Sequence, residues 1–135
     1  MKEKYLLALD QGTTSSRAIL FNRDGLLIKQ AGREIRQIYP EPGWVEHDGM
    51  EIWDSQLGTA RQVLAESGIE SSEIAAVGIA NQRQTVLIWD KETGEPVHNA
   101  LVWQCRRTAG LCKELSEMGW TQTIKDRTGL VVDAY

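Results

Sequence analysis

Residues 5–21 read YLLALDQGTTSSRAILF, and this segment sets the architecture predicted for the rest of the chain. Two apolar runs lie on either side of a short polar turn, which is the pattern of two strands joined as a hairpin. Gly12 lies inside the turn, where the missing side chain lets the backbone pass close to a ligand. We therefore predict a strand, a tight turn and a second strand between Tyr5 and Phe21.

The polar residues of this turn suit a phosphate group. Thr13, Thr14 and Ser15 offer successive backbone N–H groups and hydroxyls, and such a nest binds phosphate oxygens. Asp10, at the end of the first strand, can hold a hydrated metal ion, and Arg17 can add a bidentate cation. An ordinary hairpin with Gly and Thr in its turn would explain the same letters. A Walker loop and a Rossmann turn are both excluded, because Gly-Lys-Ser/Thr and Gly-x-Gly-x-x-Gly are missing.

The composition is that of an ordinary globular domain. The chain has 135 residues, 41% of them hydrophobic and 25% charged, and a net charge of −4. No basic run points to nucleic acid, and no apolar run is long enough to span a membrane. The start, MKEKY, lacks the apolar core of a signal peptide, so a cytoplasmic location is expected. Cys105 and Cys112 do not form Cys-x-x-Cys, which favours reduced thiols used in packing.

A strand and a helix are predicted next along the chain. The turn signal Asn22–Gly25 precedes an apolar run, and alternation up to Ile38 predicts a third antiparallel strand over Leu26–Ile38. Asp48 is an acidic N-cap, and Glu51 stands at capping-box spacing from it. Apolar residues then recur at helical intervals until Ser67–Gly68, where glycine can end the helix.

Between these two elements, Tyr39–His47 is predicted to be a loop, because two prolines and a glycine interrupt the strand pattern. Trp44 is expected to be exposed in this loop. His47 and Asp48 could be paired as a catalytic dyad, but the simpler interpretation is a residue next to a helix cap.

The second half begins with Glu73–Ala80, a short continuous apolar run that predicts a parallel strand buried on both faces. This strand delivers the polar segment Asn81–Thr85 to the carboxyl end of the sheet, where ligands of α/β proteins collect. Val86–Trp89 and Ala100–Trp103 then predict a second hairpin.

Two helices complete the prediction. One is expected over Arg106–Met118, ended by Gly119, and a short one over Thr121–Arg127. The first of them is predicted to turn three apolar residues inward, Leu111, Leu115 and Met118.

Four polar clusters follow from this arrangement: Asp10–Arg17, Gln82–Gln84, Trp103–Gln104 and Tyr135. The second and third combine a cation, amides and an indole face, which suits a small polyol. Core packing would equally explain Trp103 and Tyr135, and a surface ion pair would explain Arg83.

The chain resembles the glycerol kinase branch of the FGGY carbohydrate kinase family along essentially its whole length. The segments that carry the resemblance are Leu9–Arg17, Pro42–Asp48, Gly78–Arg83, Trp103–Gln104 with Arg106–Thr108, and Arg127–Leu130. The resemblance implies an α/β fold of the ribonuclease H-like (actin-like ATPase) kind, with a mixed sheet, antiparallel hairpins and flanking helices. It implies transfer of the ATP γ-phosphate to glycerol, with Mg²⁺, by a homo-oligomer.

By residue match, the resemblance implies that Asp10 holds the metal through water. It places the nucleotide phosphates against Gly12, Thr13, Thr14, Ser15 and Arg17, and glycerol against Arg83, Gln84, Trp103 and Tyr135. The general-base Asp of the family is expected beyond Tyr135. Residues 1–135 would then be the N-terminal part of the first kinase domain, with ATP/ADP and glycerol as partners of the whole enzyme and no activity in this chain alone.

Three positions depart from the family pattern. Gln84 stands where the family has Glu, Cys105 where it usually has Asp, and Ala134 where Pro is common. Gln84 leaves open a ketose-specific kinase of the same family. The altered Gln84 and Cys105, together with the missing general base and second domain, leave open a non-catalytic remnant that binds nucleotide phosphate or a partner chain.

Overall fold

The computed structural model describes residues 4–135. Residues 1–3, which belong to the segment that was considered as a signal peptide, lie outside it. Six strands and three α-helices follow one another along the described chain. They are β1 (Tyr5–Gln11), β2 (Ser15–Phe21), β3 (Leu27–Glu34), β4 (Glu46–His47), α1 (Gly49–Ser67), β5 (Ile74–Ala80), β6 (Ala100–Leu101), α2 (Ala109–Glu117) and α3 (Trp120–Thr128), with a 3₁₀ turn at Ser71–Glu73.

The main sheet has the strand order β3-β2-β1-β5. β1, β2 and β3 pair antiparallel, as the hairpin patterns predicted, and β5 pairs parallel with β1 after the crossover through α1. A second, two-stranded sheet joins β4 to β6. Within residues 4–135, no helix has both the length and the apolarity needed to cross a membrane.

The core lies between the main sheet and α1. Its buried side chains come from β1, β2, β3 and α1 and are Leu7, Ala18, Leu20, Ala31 and Val63. Leu20 and Val63 are fully buried, and burial of side chains of this size stabilises a fold by about 1.5–3 kcal/mol each.

Both ends of α1 form where the sequence predicts. The Asp48 carboxylate accepts from the N–H groups of Met50 and Glu51, and Gly68 ends the helix in the left-handed conformation at φ 69°. The reciprocal half of the capping box is absent, however. The Glu51 carboxylate accepts instead from the backbone N–H of Arg36, which ties the helix start to the segment after β3.

The prediction that β5 is buried on both faces is wrong. The strand is parallel, but Val77 is 52% and Ile79 74% exposed. β5 is the edge strand of the described sheet, and α1 packs beside β2 and β3 instead of covering it. Its apolar run therefore faces solvent.

The region predicted as a loop before α1 contains β4 and is largely buried at Val45, Glu46 and His47. β3 ends at Glu34 because Ile38 leaves the main sheet and bridges to Glu46. Trp44 is half-buried, not exposed, since the Arg107 guanidinium lies 3.9 Å from its ring centroid.

The second predicted hairpin forms only as isolated bridges, Val86 to Leu101 and Trp89 to Pro96, because β6 pairs with β4. α2 is shorter than predicted, and Leu111 and Met118 are exposed, because α2 packs on α3 and not on the sheet. Both cysteines are free, as predicted; Cys105 is buried and Cys112 half-buried.

Candidate phosphate and substrate site

A cavity of about 370 Å³ lies between the β1–β2 turn and the segment that follows β5. β1 and β5 are parallel neighbours with Asp10 opposite Ala80, so both deliver their following residues to the same end of the sheet. The cavity is lined by Asp10, Gln11, Gly12, Thr13, Asn81, Gln82, Arg83, Gln84 and Trp103.

The carbonyl groups of the β1–β2 turn are bonded to the protein. The Gly12 carbonyl accepts from Gln11 Nε2 at 3.1 Å, and the Thr13 carbonyl accepts from Gln37 Nε2 at 3.0 Å. The Thr14 carbonyl accepts from the Ile35 N–H at 3.0 Å. Within residues 4–135 the N–H groups of Thr13 and Thr14 make no hydrogen bond, whereas the Gly12 N–H donates to Ser15 O at 2.9 Å. The turn thus keeps donors free and acceptors occupied, which favours an anion.

Gly12 is held tightly inside this turn. A Cβ atom built at Gly12 would lie 3.1 Å from the Ser15 carbonyl oxygen, closer than most side chains tolerate. The neighbouring Gln11 is held by contacts that lead to α1. Its Oε1 accepts from Ser16 Oγ at 2.8 Å, and Ser16 Oγ lies 2.6 Å from Ser55 Oγ on α1. The core helix therefore supports the turn directly.

Trp103 joins the two sides of the cavity. Its indole N–H donates to Thr13 Oγ1 at 2.9 Å, and its side chain remains 42% exposed at the cavity wall. Because Thr13 Oγ1 acts as the acceptor, its own hydroxyl hydrogen is left for a ligand oxygen. The core-packing interpretation of Trp103 is therefore wrong.

Arg83 and Gln84 face the turn across the cavity. Within residues 4–135, Arg83 forms neither an ion pair nor a hydrogen bond. Gln84 has φ 56° and is the one non-glycine residue in that range with positive φ. This conformation costs a residue with a side chain about 1–2 kcal/mol, and strain of this kind concentrates at functional sites.

Asp10 and Arg17 pair across β1 and β2, with Arg17 Nη1 3.8 Å from Asp10 Oδ2. Arg17, Thr14 and Ser15 do not line the cavity, but Arg17 reaches it through Asp10. The described residues contain no group of three or more His, Cys, Asp or Glu side chains suited to a metal. A single carboxylate nevertheless fits Mg²⁺, which proteins hold by one or two carboxylates together with water and substrate phosphates.

Tyr135 does not line this cavity. It lies in an adjacent one of about 160 Å³, and its hydroxyl donates to the Val131 carbonyl at 2.9 Å. Gln84 lines both cavities and is the residue that their linings share.

A buried ion pair supports the segment that carries Trp103. Arg107 Nη2 donates to Glu46 Oε1 at 2.6 Å, and Asn99 Nδ2 donates to Glu46 Oε2 at 2.9 Å. Burial alone would raise the pKa of Glu46, but the hydrogen bonds from Arg107 and Asn99 outweigh it and hold that pKa below its usual range. Both carboxylate oxygens are thereby satisfied.

Cys105 belongs to the same buried group. Arg107 Nε donates to Cys105 Sγ at 3.0 Å. Burial would raise the pKa of this thiol, but the hydrogen bonds from Arg107 outweigh it and lower the pKa. The Cys105 departure from the family pattern thus lies against a guanidinium. Cys105 does not line the cavity that holds Trp103, but it lines the adjacent cavity together with Gln84 and Tyr135.

Sequence reasoning assigned no site role to Gln11 or Gln37. It interpreted His47 as a residue next to a helix cap, and it placed Asn81 at the carboxyl end of the sheet without giving it a role of its own. Asn81 follows a strand predicted to end at the site, and that position was an available signal. Gln37 and His47 act from behind the cavity, through contacts between distant parts of the chain, so the sequence carries no local signal for them.

The fold is that of the N-terminal domain of a carbohydrate kinase, and the chain belongs to the FGGY family of carbohydrate kinases. The N-terminal domain model of that family matches residues 5–135. Curated relatives of this chain include glycerol kinases. The protein of Symbiobacterium thermophilum is 64% identical over 135 residues, covering 100% of this chain and 27% of the relative. Glycerol kinase 2 of Thermotoga maritima is 59% identical over 132 residues, covering 98% and 27%.

Solved structures agree with this family. Plasmodium falciparum glycerol kinase with ADP superposes with a TM-score of 0.83 at 30% identity, over 98% of this chain and 27% of that one. Gluconate kinase from Lactobacillus acidophilus has a TM-score of 0.83 at 20% identity, over 98% and 26%, and supports the fold alone. The expected ribonuclease H-like α/β fold is confirmed. The chain spans about a quarter of the length of the curated relatives it matches.

Proposed function

We propose that this chain is the N-terminal part of the first domain of a glycerol kinase. The complete protein would transfer the γ-phosphate of ATP to glycerol, giving sn-glycerol 3-phosphate and ADP. The observation that carries the proposal is the 2.9 Å hydrogen bond from Trp103 to Thr13. This bond joins the turn suited to phosphate to a residue suited to a polyol, and both residues line one cavity with Arg83. The 64% identity to a glycerol kinase supports glycerol as the acceptor.

The roles follow from the chemistry of the site. The N–H groups of Thr13 and Thr14 and the hydroxyl of Ser15 would bind nucleotide phosphates, and Gly12 would let them approach. Asp10 would hold Mg²⁺ through water, and Arg17 would add positive charge beside it. The metal supplies charge neutralisation on the phosphates, and in phosphoryl transfer such neutralisation and positioning contribute most of the rate.

On the acceptor side, the Arg83 guanidinium and the Gln84 amide would bind the glycerol hydroxyls, with Trp103 covering the C–H face. Tyr135 would join them from the smaller cavity that it lines together with Gln84. The general base, the adenosine pocket and the rest of the first domain would come from chain beyond Tyr135. The solvent-facing β5 supports this, since an apolar parallel strand is normally covered. A cytoplasmic, homo-oligomeric enzyme is also proposed, on the family resemblance alone.

The proposal predicts that the 135-residue chain by itself releases no ADP from ATP in a glycerol-dependent way. A chimera in which this chain replaces the matching N-terminal segment of the Symbiobacterium thermophilum glycerol kinase should do so. A coupled ADP-release assay with glycerol, dihydroxyacetone and a ketopentose as acceptors measures both. A chimera that prefers the ketopentose would contradict glycerol as substrate, and a folded but inactive chimera would support the phosphate-binding remnant.

A second prediction concerns the departure at position 84. The Gln84→Glu chimera should bind glycerol about fivefold more tightly, because a hydrogen bond to a charged group is worth about 1 kcal/mol more than a neutral one. The KM for glycerol measures this effect. Gln84→Met is the matched control, since it keeps the length but cannot donate a hydrogen bond and accepts one only weakly, and it should weaken binding. Equal KM values in all three proteins would mean that position 84 does not touch substrate.

A further inference from the structure

A continuous line of hydrogen bonds runs behind the cavity wall, from the β1–β2 turn to the segment after β5. Gln37 Nε2 donates to the Thr13 carbonyl at 3.0 Å, and Gln37 Oε1 lies 2.8 Å from His47 Nε2. His47 Nδ1 lies 3.4 Å from Gln82 Nε2, and Gln82 Oε1 accepts from Thr85 Oγ1 at 3.1 Å. His47 is 1% exposed and stands at the middle of this line.

The orientation of each group in the line is determined by its fixed end. Gln37 Nε2 donates to two backbone carbonyls, those of Thr13 and Ile35, and carbonyls can only accept. The other end of that amide, Oε1, must therefore face His47, so the Nε2 atom of His47 carries a hydrogen. His47 Nδ1 is then left as the acceptor for the Gln82 amide.

We propose that His47, neutral and protonated on Nε2, is a positioning residue that holds the phosphate-binding turn and the 81–85 segment at a fixed separation. His47 does not line the cavity. It acts through Gln37, which holds the Thr13 carbonyl, and through Gln82, which lines the cavity beside Arg83. The inference rests on the proposed function, because it concerns the distance between the two reactants of that reaction.

The surroundings of His47 agree with a neutral ring. Burial lowers the pKa of His47, and the nearby Glu51 carboxylate only partly offsets this effect. β4, which carries His47, is held from both sides: His47 pairs with Ala100 of β6, and Glu46 bridges to Ile38. The backbone that carries the His47 ring is thus held by strand pairing as well as by the two amides.

The effect of such a residue is specific. A misplacement of about 1 Å between reacting groups can cost about 100-fold in rate while each ligand still binds its own side of the site. In the chimera, His47→Phe keeps a planar ring of similar size but breaks both hydrogen bonds. We expect kcat to fall about 10- to 100-fold, with KM for glycerol and for ATP changing less than about threefold.

Rescue and coupling distinguish this role from a merely structural one. His47→Gln can still donate to Gln37 and should recover a large part of kcat. Gln37→Met should lower kcat. The double variant with His47→Phe should be no slower than the worse single variant, because both substitutions interrupt the same line of hydrogen bonds. The matched control is His98→Phe, which changes the exposed second histidine and should leave kcat unchanged.

Amide hydrogen exchange, read by mass spectrometry on the chimera, provides a test that does not need activity. His47→Phe should accelerate exchange in peptides covering residues 12–16 and 81–85, and His98→Phe should not. If the parent chimera is inactive but His47→Phe still accelerates exchange in both segments, only the proposed function is contradicted and the role of His47 stands. Unchanged exchange at both segments, an additive double variant, or a loss confined to KM would each overturn the role of His47.

Discussion

Replacing Arg107 by methionine is expected to destabilise the folded chain by about 3–5 kcal/mol, the usual cost of removing one partner from a buried ion pair. Glu46 is 4% exposed and would keep its buried charge with only Asn99 as a hydrogen-bond partner. The variant would also lose the stacking of the guanidinium on Trp44 and its bond to Cys105. Urea unfolding of the 135-residue chain, followed by tryptophan fluorescence, measures the loss.

The matched control is its neighbour Arg106. Arg106 Nη1 pairs with Asp133 Oδ1 at 2.7 Å, but both side chains are substantially exposed. Surface pairs of this kind are worth at most about 1 kcal/mol, so Arg106→Met should have a small effect. If both variants lost the same free energy of unfolding, burial of the Glu46–Arg107 pair would not make it more stabilising than an exposed pair.

The pH dependence of the same pair has a defined sign. In the parent chain the Glu46 pKa is lowered, so its contribution to stability is present above about pH 4.3, the unfolded pKa of Glu, and is lost as pH falls through the folded pKa. In Arg107→Met the buried carboxyl lacks its cation, so its pKa should lie above the unfolded value. That group then stabilises the fold only at low pH, and the difference between the two proteins should shrink on acidification.

The largest expected effect on activity is at Arg83. In the chimera, Arg83→Ala should lower kcat/KM for glycerol about 10- to 150-fold, because a hydrogen bond to a charged group contributes about 1.5–3 kcal/mol. The guanidinium has no partner among residues 4–135, so its removal should leave the surrounding structure intact. Steady-state kinetics with glycerol as the varied substrate measures the change.

Two further variants complete this test. Arg83→Lys should restore little, because a single ammonium cannot reproduce the planar fork of donors. Arg23→Ala changes an exposed arginine in the β2–β3 turn, at the opposite end of the hairpin, and should leave kcat/KM unaltered. If Arg83→Ala retained the parent kcat/KM, the substrate side of the proposed site would have to be placed elsewhere.

The local patterns of the sequence predicted the elements that lie close together in the chain. The β1–β2 hairpin, the cap at Asp48 and the end of α1 at Gly68 each follow from residues a few positions apart. The parallel direction of β5 followed from the crossover rule. These predictions brought Asp10, Thr13 and Arg83 to one end of the sheet.

What the sequence could not predict depends on distant contacts. β4 and β6 are two residues each and pair across more than fifty positions, so neither has a periodicity to detect. The line through Gln37 and His47 depends on that pairing. The exposure of β5 and α2 was missed for a related reason: an apolar pattern indicates that a surface is suited to burial but does not identify what covers it.

The solvent-facing β5 also bears on how the polypeptide behaves before its fold is complete. Residues 74–80 read IAAVGIA, a window with no charge and no proline, and such windows add readily to other strands. No gatekeeper residue interrupts the run, and its outer edge offers unpaired backbone groups for cross-chain pairing. We therefore expect this exposed strand to make the 135-residue chain prone to associate through its sheet edge.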